Sequence, residues 1–451
     1  MFRKLIAPLL AALSFLLFVT SWYLGHLAWP STSYNPISIG HNEAQSSINS
    51  TSSRTEVKTT SSEVPVNLVT SSTAPNPTVT SPSIITNGTI LSAERISPFI
   101  SAILHPETTT ALGRLKCPAL STRYQPLQQR HGSQEPKIDY FFALNLRNCK
   151  DILPRLLGSI VEVAQYLGTG RCALSIVEGN SADGTSDILS ALDPFLKDLG
   201  LIYFYNKSKI DPSKNERIKK LAQLRNLALE PLVKNQVSVS DDTTVLFLND
   251  VAACPEDILE LALQRKRLSA DMTCGMDWTY AGVNPTFYDI WVARTIKGDS
   301  FFEVGSDGNW NSAWNLFWNE AATKNLFEAH KPFQVFACWN GAAAISAAPI
   351  LHGLRFRSNN PKECFQGEPT LFCKDMWHRG FRKIAVVPSI NLEYTDDAAD
   401  KIKQLKGFVS DIVADDDDND TIDWISSPPA EVRCMPTWET QGWRPWNESF
   451  S

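Results

Sequence analysis

Polar side chains follow two apolar runs of this chain, at the point where each run stops. Asn249 and Asp250 come directly after "VLFL", while Glu178 ends "CALSIVE" and Asp183 lies in the next turn, "GNSADGT". Ligands of open α/β sheets bind at the carboxyl ends of the strands, so these groups point to one crevice. A carboxylate such as Asp250 at that place binds Mg²⁺ or Mn²⁺, which also holds substrate phosphates. The alternative for each is a turn or helix-cap role.

A fifth candidate is an arginine on the apolar face of a predicted helix. In "NERIKKLAQLRNLALEPL" the apolar stripe begins at Ile218, and Arg225 falls on that stripe seven residues later. An arginine on the buried side of a helix needs an anionic partner. Either an internal carboxylate or a ligand phosphate fits, and the helix alone does not choose between them.

The elements that position these groups alternate between strand and helix. Between Lys116 and Tyr394 this alternation predicts an α/β domain with a mainly parallel sheet. The predicted strands include 138–146, 172–178 and 245–248. The predicted helices include 151–168, with Asp151 as N-cap, then 185–200 and one that begins at Pro255.

The two ends of the chain differ from this middle part. Arg3 and Lys4 precede a charge-free stretch, so residues 1–29 are expected to form a membrane helix that leaves the rest of the chain lumenal; a cleaved signal peptide is the alternative. Residues 30–112 are rich in Ser, Thr, Asn and Pro and are expected to form a disordered stalk. The domain is expected over 113–400, and an acidic tail with a solvated run at 415–420 over 401–451.

Composition excludes other classes of function. The nine cysteines form no CxxC pair, which argues against a zinc site, and their odd number leaves at least one without an internal partner. The net charge is −6 and no basic block follows the stalk, so nucleic acid is not an expected partner.

Eight stretches occur together in a characteristic order and spacing: "FFALNLRNC", "SIVEGNSADGT", "RIKKLAQLRNLALEPL", "VLFLNDV", "ADMTCGMDW", "FYDIWVAR", "VFACWNGAAAISAAPI" and "ECFQGEPTLFCKDMWHRGF". In this respect the chain resembles the fungal capsule-associated α-1,3-mannosyltransferases. The resemblance implies a GT-A-like nucleotide-sugar-binding domain in a Golgi type II membrane protein. It also implies the transfer of mannose from GDP-mannose to a mannose-containing glycan acceptor.

The resemblance also implies roles for the residues at the strand ends. Such enzymes use a short acidic motif, usually Asp-x-Asp, to hold a divalent ion on the donor diphosphate. Here Asn249 and Asp250 stand at that place, so the motif supplies one carboxylate for Mn²⁺ or Mg²⁺. Arg225 is then expected on the same diphosphate, with Glu178 and Asp183 on the ribose and guanine.

Donor and product are both α-linked in this family, which implies retention of configuration. Front-side attack needs no enzyme nucleophile, whereas double displacement needs a carboxylate near the sugar carbon. Asp277, Asp375 and above all Glu368, expected as an exposed first-turn residue of a helix, are the candidates. Trp339 and Asn340 in "CWNGAAA" are candidates for binding the acceptor sugar, with a core role as the alternative for the tryptophan. A different nucleotide sugar, or a non-catalytic role in glycan binding or polysaccharide export, are the competing functions.

Overall fold

The computed structural model describes residues 84–106, 108, 112–129, 137–281, 283–413 and 421–450, all within one compact unit. The membrane helix predicted within 1–29, the stalk up to residue 83 and the acidic run at 415–420 lie outside these residues. None of the helices in the described ranges has the length and apolar character needed to cross a bilayer.

A ten-stranded sheet forms the centre of the molecule. Its strands are β1 Tyr140–Leu146, β2 Cys172–Gly179, β3 Ile202–Ser208, β4 Thr244–Leu248, β5 Met272–Ala281, β6 Asn284–Phe287, β7 Arg294–Thr295, β8 Phe333–Ala337, β9 Ala342–Ser346 and β10 Ile384–Leu392. The order is β3-β2-β1-β4-β9-β5-β10-β8-β7, with β6 paired to β5. All strands except β6, β8 and β9 run in one direction, because β9 is antiparallel to both β4 and β5. The prediction of a mainly parallel α/β sheet is confirmed.

Helices cover both faces of this sheet. They are α1 Ala93–Leu104, α2 Leu153–Leu167, α3 Thr185–Ala191, α4 Asp193–Asp198, α5 Arg217–Ala228, α6 Glu230–Val233, α7 Pro255–Arg267, α8 Ala321–Glu328, α9 Ala347–Leu351, α10 Glu368–His378, α11 Asp396–Lys406 and α12 Val409–Ile412. Alternate side chains of β1 enter opposite cores: Tyr140 and Phe142 lie in one apolar cluster, and Phe141 and Ala143 in the other. Continuous apolar runs such as "VLFL" therefore form strands that are buried on both faces.

Two predicted helices differ from the observed ones. Asp151 lies in a 3-10 turn and does not cap α2, which begins at Leu153 and ends before Gly168, the predicted stop. The single helix predicted over 185–200 is divided into α3 and α4, since Pro194 starts a new helix after Leu192. Proline lacks the N–H that would continue the helix and clashes with the preceding turn.

The predicted stalk extends too far towards the domain. Helix α1 lies inside the range 30–112, packs against α2 and buries Ile96, Ile100 and Ile103. Asp187 accepts hydrogen bonds from the backbone N–H groups of three successive residues, 89–91, at 2.6–2.9 Å. The described residues from 84 onward are thus part of the folded domain, because their apolar side chains and amides have internal partners.

The predicted tail is also more ordered than its composition indicates. Helix α11 crosses the expected boundary at residue 400, and a hairpin follows with strands β11 Glu431–Cys434 and β12 Gly442–Pro445. Cys434 is disulfide-bonded to Cys364, and the carboxylate of Glu448 accepts a hydrogen bond from the Cys364 N–H at 2.9 Å. The other disulfides are Cys117–Cys254 and Cys274–Cys338, and Cys149, Cys172 and Cys373 are free and buried.

Candidate active site

Strand β4 ends at Leu248 and delivers Asn249 and Asp250 to the edge of the sheet. The Asn249 N–H donates to the carbonyl of Gly341 at 2.9 Å, which fixes this chain segment to the turn before β9. The Asn249 side-chain oxygen accepts hydrogen bonds from the Trp339 indole at 3.0 Å and from Arg225 at 3.4 Å. Asn249 therefore orients other side chains of the site with its amide oxygen.

Arg225 of α5 forms the centre of the site. Its Nε donates to Glu368 Oε1 at 2.8 Å, and the two side chains are buried. The guanidinium carbon lies 4.4 Å from the ring centroid of Trp339, 5.1 Å from that of Phe247 and 5.6 Å from that of Phe356. A guanidinium held by a carboxylate and three aromatic rings has a fixed orientation. One of its terminal nitrogens is buried without a hydrogen-bond partner in the described structure.

The partner of Arg225 is thus an internal carboxylate, one of the two alternatives that the sequence left open. Glu368 is the first residue of α10, as predicted, but it is 3% exposed and does not project into solvent as expected. The arginine explains the difference, because a paired carboxylate is stable in a buried place where an unpaired one is not.

Asp250 is half-buried next to this pair. Burial raises the pKa of its carboxyl, although its own backbone N–H and the charge of Arg225 oppose the shift. Among the described residues no side chain donates a hydrogen bond to this carboxylate, and no group of three or more His, Cys, Asp or Glu could hold a metal ion. A single available carboxylate fits a hard cation that takes its remaining ligands from phosphate oxygens and water.

Asp277 of β5, a predicted catalytic residue, is enclosed by the protein. Its side chain is completely buried, Oδ2 accepts a hydrogen bond from the Tyr394 hydroxyl at 2.6 Å, and Oδ1 has no hydrogen-bond partner among the described residues. Burial and the charge of Asp289 raise the pKa of the Asp277 carboxyl well above its ordinary value. Asp277 therefore holds Tyr394 in place, and its catalytic role stays a prediction.

Asp289 lies beside Asp277 and was not among the candidates from the sequence. Its Oδ2 accepts a hydrogen bond from the Asn340 N–H at 2.9 Å. Burial raises the pKa of this carboxyl to about 6, and the charge of Glu368 acts in the same direction. The sequence shows Asp289 in the stretch "FYDIWVAR", but its pattern does not distinguish an aspartate of a binding site from an aspartate of an ordinary turn.

The two carboxylates after β2 have different environments. Glu178 is completely buried; its Oε1 accepts a hydrogen bond from the Ser181 N–H, and its Oε2 has no hydrogen-bond partner within the described part of the chain. Asp183 is saturated by hydrogen bonds from Thr185 and from the Lys150 N–H, and these lower its pKa although burial acts to raise it. Asp183 holds two loops together, whereas Glu178 fixes the Ser181 turn through one oxygen of its carboxylate.

Three further candidates have internal roles. Trp339 is 1% exposed with Arg225 over its ring, and Asn340 is completely buried, with its amide donating to the Gly275 carbonyl and accepting from the Trp339 N–H. Asp375 lies two turns beyond Glu368 on α10 in a bidentate pair with Arg357. Their polar atoms and the ring face of Trp339 contact protein groups in the described structure, and the expectation that these residues bind acceptor or donor stays a prediction.

Comparisons with known proteins agree with the resemblance. The family model described as "Cryptococcal mannosyltransferase 1" matches residues 139–375. The alpha-1,3-mannosyltransferase CMT1 of Cryptococcus neoformans var. neoformans serotype D is 36% identical over an alignment of 362 residues, which covers 73% of this chain and 76% of that protein.

Two solved structures show a weaker likeness. TarS of S. aureus has 14% identity and a TM-score of 0.33 over 59% of this chain and 64% of that chain. The mannosyltransferase PcManGT from Pyrobaculum calidifontis, in complex with GDP-Man and Mn²⁺, has 10% identity and a TM-score of 0.34 over 60% of this chain and 62% of that chain. Less than two thirds of each solved chain is matched, and TM-scores this low do not establish a shared fold. The family model and the sequence identity, in contrast, each cover more than half of the chain, which therefore belongs to the cryptococcal mannosyltransferase family.

Proposed function

We propose that the protein is a retaining mannosyltransferase with a GT-A-like domain, which transfers mannose from GDP-mannose to a mannose-containing acceptor in an alpha-1,3 linkage. The observation that carries the proposal is the fixed Arg225–Glu368 pair beside the available carboxylate of Asp250. This arrangement stands at the carboxyl end of β4, in a chain related to an alpha-1,3-mannosyltransferase. A cell-wall or capsule glycan is the proposed product.

The nucleotide diphosphate is proposed to bind between Asp250 and Arg225. Asp250 would hold Mn²⁺ or Mg²⁺, which neutralises the charge on the leaving diphosphate when it is bound. Arg225 supplies a second positive charge for the diphosphate, since its guanidinium acts on the carboxylate of Asp250 and one of its terminal nitrogens makes no hydrogen bond among the described residues. Because its guanidinium is already oriented by Glu368 and Trp339, little reorganisation is needed when charge develops on the leaving group.

Glu368 is proposed to contact a sugar with the oxygen that Arg225 does not use. Its Oε1 accepts the hydrogen bond from Arg225, and Oε2 has no hydrogen bond within the described structure. Glu368 is the first residue of α10, so its carboxylate lies at the N-terminal end of that helix. It accepts a hydrogen bond from a sugar hydroxyl and keeps Arg225 fixed at the same time.

Residues 1–29 are proposed to anchor the protein in the Golgi membrane with a single span, and the domain from residue 84 onward to lie in the lumen. Three disulfides in the described structure support an oxidising compartment.

A donor panel tests the function. The purified protein is incubated with Mn²⁺, an α-linked mannose disaccharide and one of GDP-mannose, UDP-glucose or UDP-galactose, and products are analysed by mass spectrometry and NMR. We expect a trisaccharide from GDP-mannose alone, with a new alpha-1,3 bond. Formation of a product from UDP-glucose or UDP-galactose would show that the donor is not GDP-mannose. Binding of the disaccharide without any transfer would support the non-catalytic alternative.

A further inference from the structure

We propose that Tyr288 and Asp289 form the subsite that binds the hexose of the donor, with the Asp289 carboxylate accepting hydrogen bonds from sugar hydroxyls. This inference rests on the proposed nucleotide-sugar site and adds a sugar-binding element that the sequence did not single out.

The two residues lie in the segment that follows β6, and the surrounding elements fix its position. The Tyr288 N–H donates to the Asp277 carbonyl at 3.0 Å, and Asp289 Oδ2 accepts from the Asn340 N–H at 2.9 Å. Gly341 follows Asn340 in the turn before β9, and its carbonyl accepts the hydrogen bond from the Asn249 N–H. One turn therefore holds both Asp289 and the segment that carries Asp250.

The same segment continues along the start of α10. The Thr370 hydroxyl donates to the Val292 carbonyl at 3.2 Å. The Val292 side chain lies 3.4 Å from where a Cβ of Gly367 would stand, next to Glu368. The segment 288–292 therefore extends from the β4 side of the site to Glu368. We place the hexose of a donor whose diphosphate binds at Asp250 and Arg225 in this interval.

The charges agree with this placement. The carboxyl of Asp289 experiences the charges of both Arg225 and Glu368, and the Tyr288 hydroxyl experiences the charge of Asp250. Tyr288 and Asp289 thus lie within electrostatic range of the groups proposed to bind the diphosphate and of the carboxylate proposed to contact a sugar.

Both side chains have unused binding capacity. Asp289 is partly exposed, and in the described structure no hydrogen bond is made to its Oδ1. Tyr288 is 46% exposed, and its ring packs against Tyr394 with the centroids 5.0 Å apart. A carboxylate accepts hydroxyl hydrogen bonds, and an aromatic ring with a polar end contacts both the carbon face and the hydroxyls of a sugar.

The alternative is a purely structural role, in which Asp289 only holds Asn340 and the turn before β9 in place. Asp289→Asn separates the two roles, because an amide oxygen still accepts from the Asn340 N–H while the amide nitrogen cannot accept from a hydroxyl. The purified protein with Mn²⁺ is titrated with GDP and with GDP-mannose by calorimetry. Asp307→Asn, at an exposed carboxylate elsewhere on the domain, serves as the charge-matched control.

We expect Asp289→Asn to weaken the binding of GDP-mannose about tenfold and to leave GDP binding within about twofold of the parent. Tyr288→Ala is expected to behave in the same way, while Asp307→Asn changes neither constant. Equal loss for GDP and GDP-mannose with a lower melting temperature, or no change for either ligand, overturns the subsite.

Failure of the proposed function gives a different result. If the parent protein prefers another nucleotide sugar, the assignment of GDP-mannose as donor is wrong. The subsite is then tested by the effect of Asp289→Asn on the affinity for that nucleotide sugar and for the corresponding nucleotide. If no nucleotide sugar binds more tightly than its nucleotide, the subsite is wrong. A parent that binds neither class of ligand contradicts both proposals.

Discussion

At the scale of single residues, Arg225 connects the parts of the site because its guanidinium touches side chains from four different segments. Glu368 comes from α10, Asn249 from the end of β4, and the aromatic rings from β4, the turn before β9 and the loop before α10. The planar group satisfies these contacts together, which a point charge cannot do.

Arg225→Lys is expected to weaken GDP-mannose binding by about tenfold or more. Lysine keeps the positive charge but loses the paired donors and the flat stacking surface. Titration calorimetry measures the affinity, and the melting temperature is recorded on the same sample. Lys219→Arg, on the exposed part of the same helix, is the control. An unchanged affinity would leave Arg225 with a structural role alone.

Gly341 is a second residue whose type is dictated by its surroundings. Its φ is +82°, and a Cβ would stand 3.2 Å from Asp277 Cβ and from Val251 Cγ1. Gly341→Ala is expected to lower the free energy of unfolding by about 1–3 kcal/mol, since left-handed backbone strain adds to crowding.

Gly380→Ala separates these two contributions in a chemical denaturation experiment. Gly380 has a φ of +91° with nothing within 4 Å of its Cβ position, so it reports the backbone strain without crowding. We expect the larger loss for Gly341→Ala, together with weaker nucleotide binding because Gly341 holds Asn249. Equal losses would show that the packing against Asp277 is loose.

At the scale of elements, α7 follows the site directly and ties it to both ends of the domain through buried charges. Asp257 pairs with Lys403 of α11 at 2.6 Å, and Glu260 pairs with Arg123 at 2.8 Å. Glu256 accepts hydrogen bonds from the backbone N–H groups of Val409 and Ser410. Breaking such a pair leaves an uncompensated buried charge, so α7 fixes where the outer segments dock.

Glu256→Gln is expected to reduce the decrease in the free energy of unfolding that the parent shows as the pH rises. Burial, reinforced by Asp257, raises the pKa of Glu256 to about 7, so the folded protein binds a proton that the unfolded chain releases near its ordinary pKa. The contribution of Glu256 to the free energy of unfolding is therefore fully present below the pKa that this carboxyl has in the unfolded chain. It is lost as the pH rises through about 7, the pKa in the folded protein.

Thermal unfolding of parent and variant at pH 5 and pH 8 measures this effect. The parent is expected to lose about 2–3 kcal/mol more than Glu256→Gln over that interval. Glu439→Gln, at a fully exposed carboxylate, should follow the parent. An identical pH dependence of parent and Glu256→Gln would mean that Glu256 is ionised in the fold at pH 5.

The elements show which parts of the fold could be predicted from the sequence. Strands β1, β2 and β4 and helix α7 were predicted because their signals are local: apolar runs, Pro255 and first-turn acids. The insertion of β9 between β4 and β5 could not be predicted from periodicity, since it depends on pairing across a large sequence separation. The same holds for the Arg225–Glu368 pair and for the burial of Asp277. For this pair, the sequence predicted only that Arg225, on the apolar face of its helix, needs an anionic partner.

At the scale of the whole molecule, the described ends of the chain are part of the domain. The hairpin of β11 and β12 is linked by Cys434 to the segment before α10, and the buried Lys374 of α10 lies 3.6 Å from Glu448. Their polar composition was typical of a tail, but a disulfide and a buried charge do not leave a local signature in hydropathy.

Replacing Cys364 and Cys434 together by alanine is expected to destabilise the domain by about 4 kcal/mol, because the cross-link closes a loop across a sequence separation of 70. Chemical denaturation measures the loss, and Cys172→Ala controls for removal of a buried sulfur without a cross-link. Equal stability of the double variant and the Cys172 variant would show that the hairpin docks without help from the disulfide.

We propose that this molecule transfers mannose at the end of β4 with Asp250 as the cation ligand. The most direct test is the Mn²⁺-dependent rate of mannose transfer from GDP-mannose by parent and Asp250→Asn, with the melting temperature of each sample and Asp241→Asn as an exposed control. We expect Asp250→Asn to lower the rate by about 100-fold or more while the melting temperature barely changes. A variant that transfers mannose at the parent rate, or that loses about 1 kcal/mol of stability with normal turnover, would contradict it and return Asp250 to a turn or cap role.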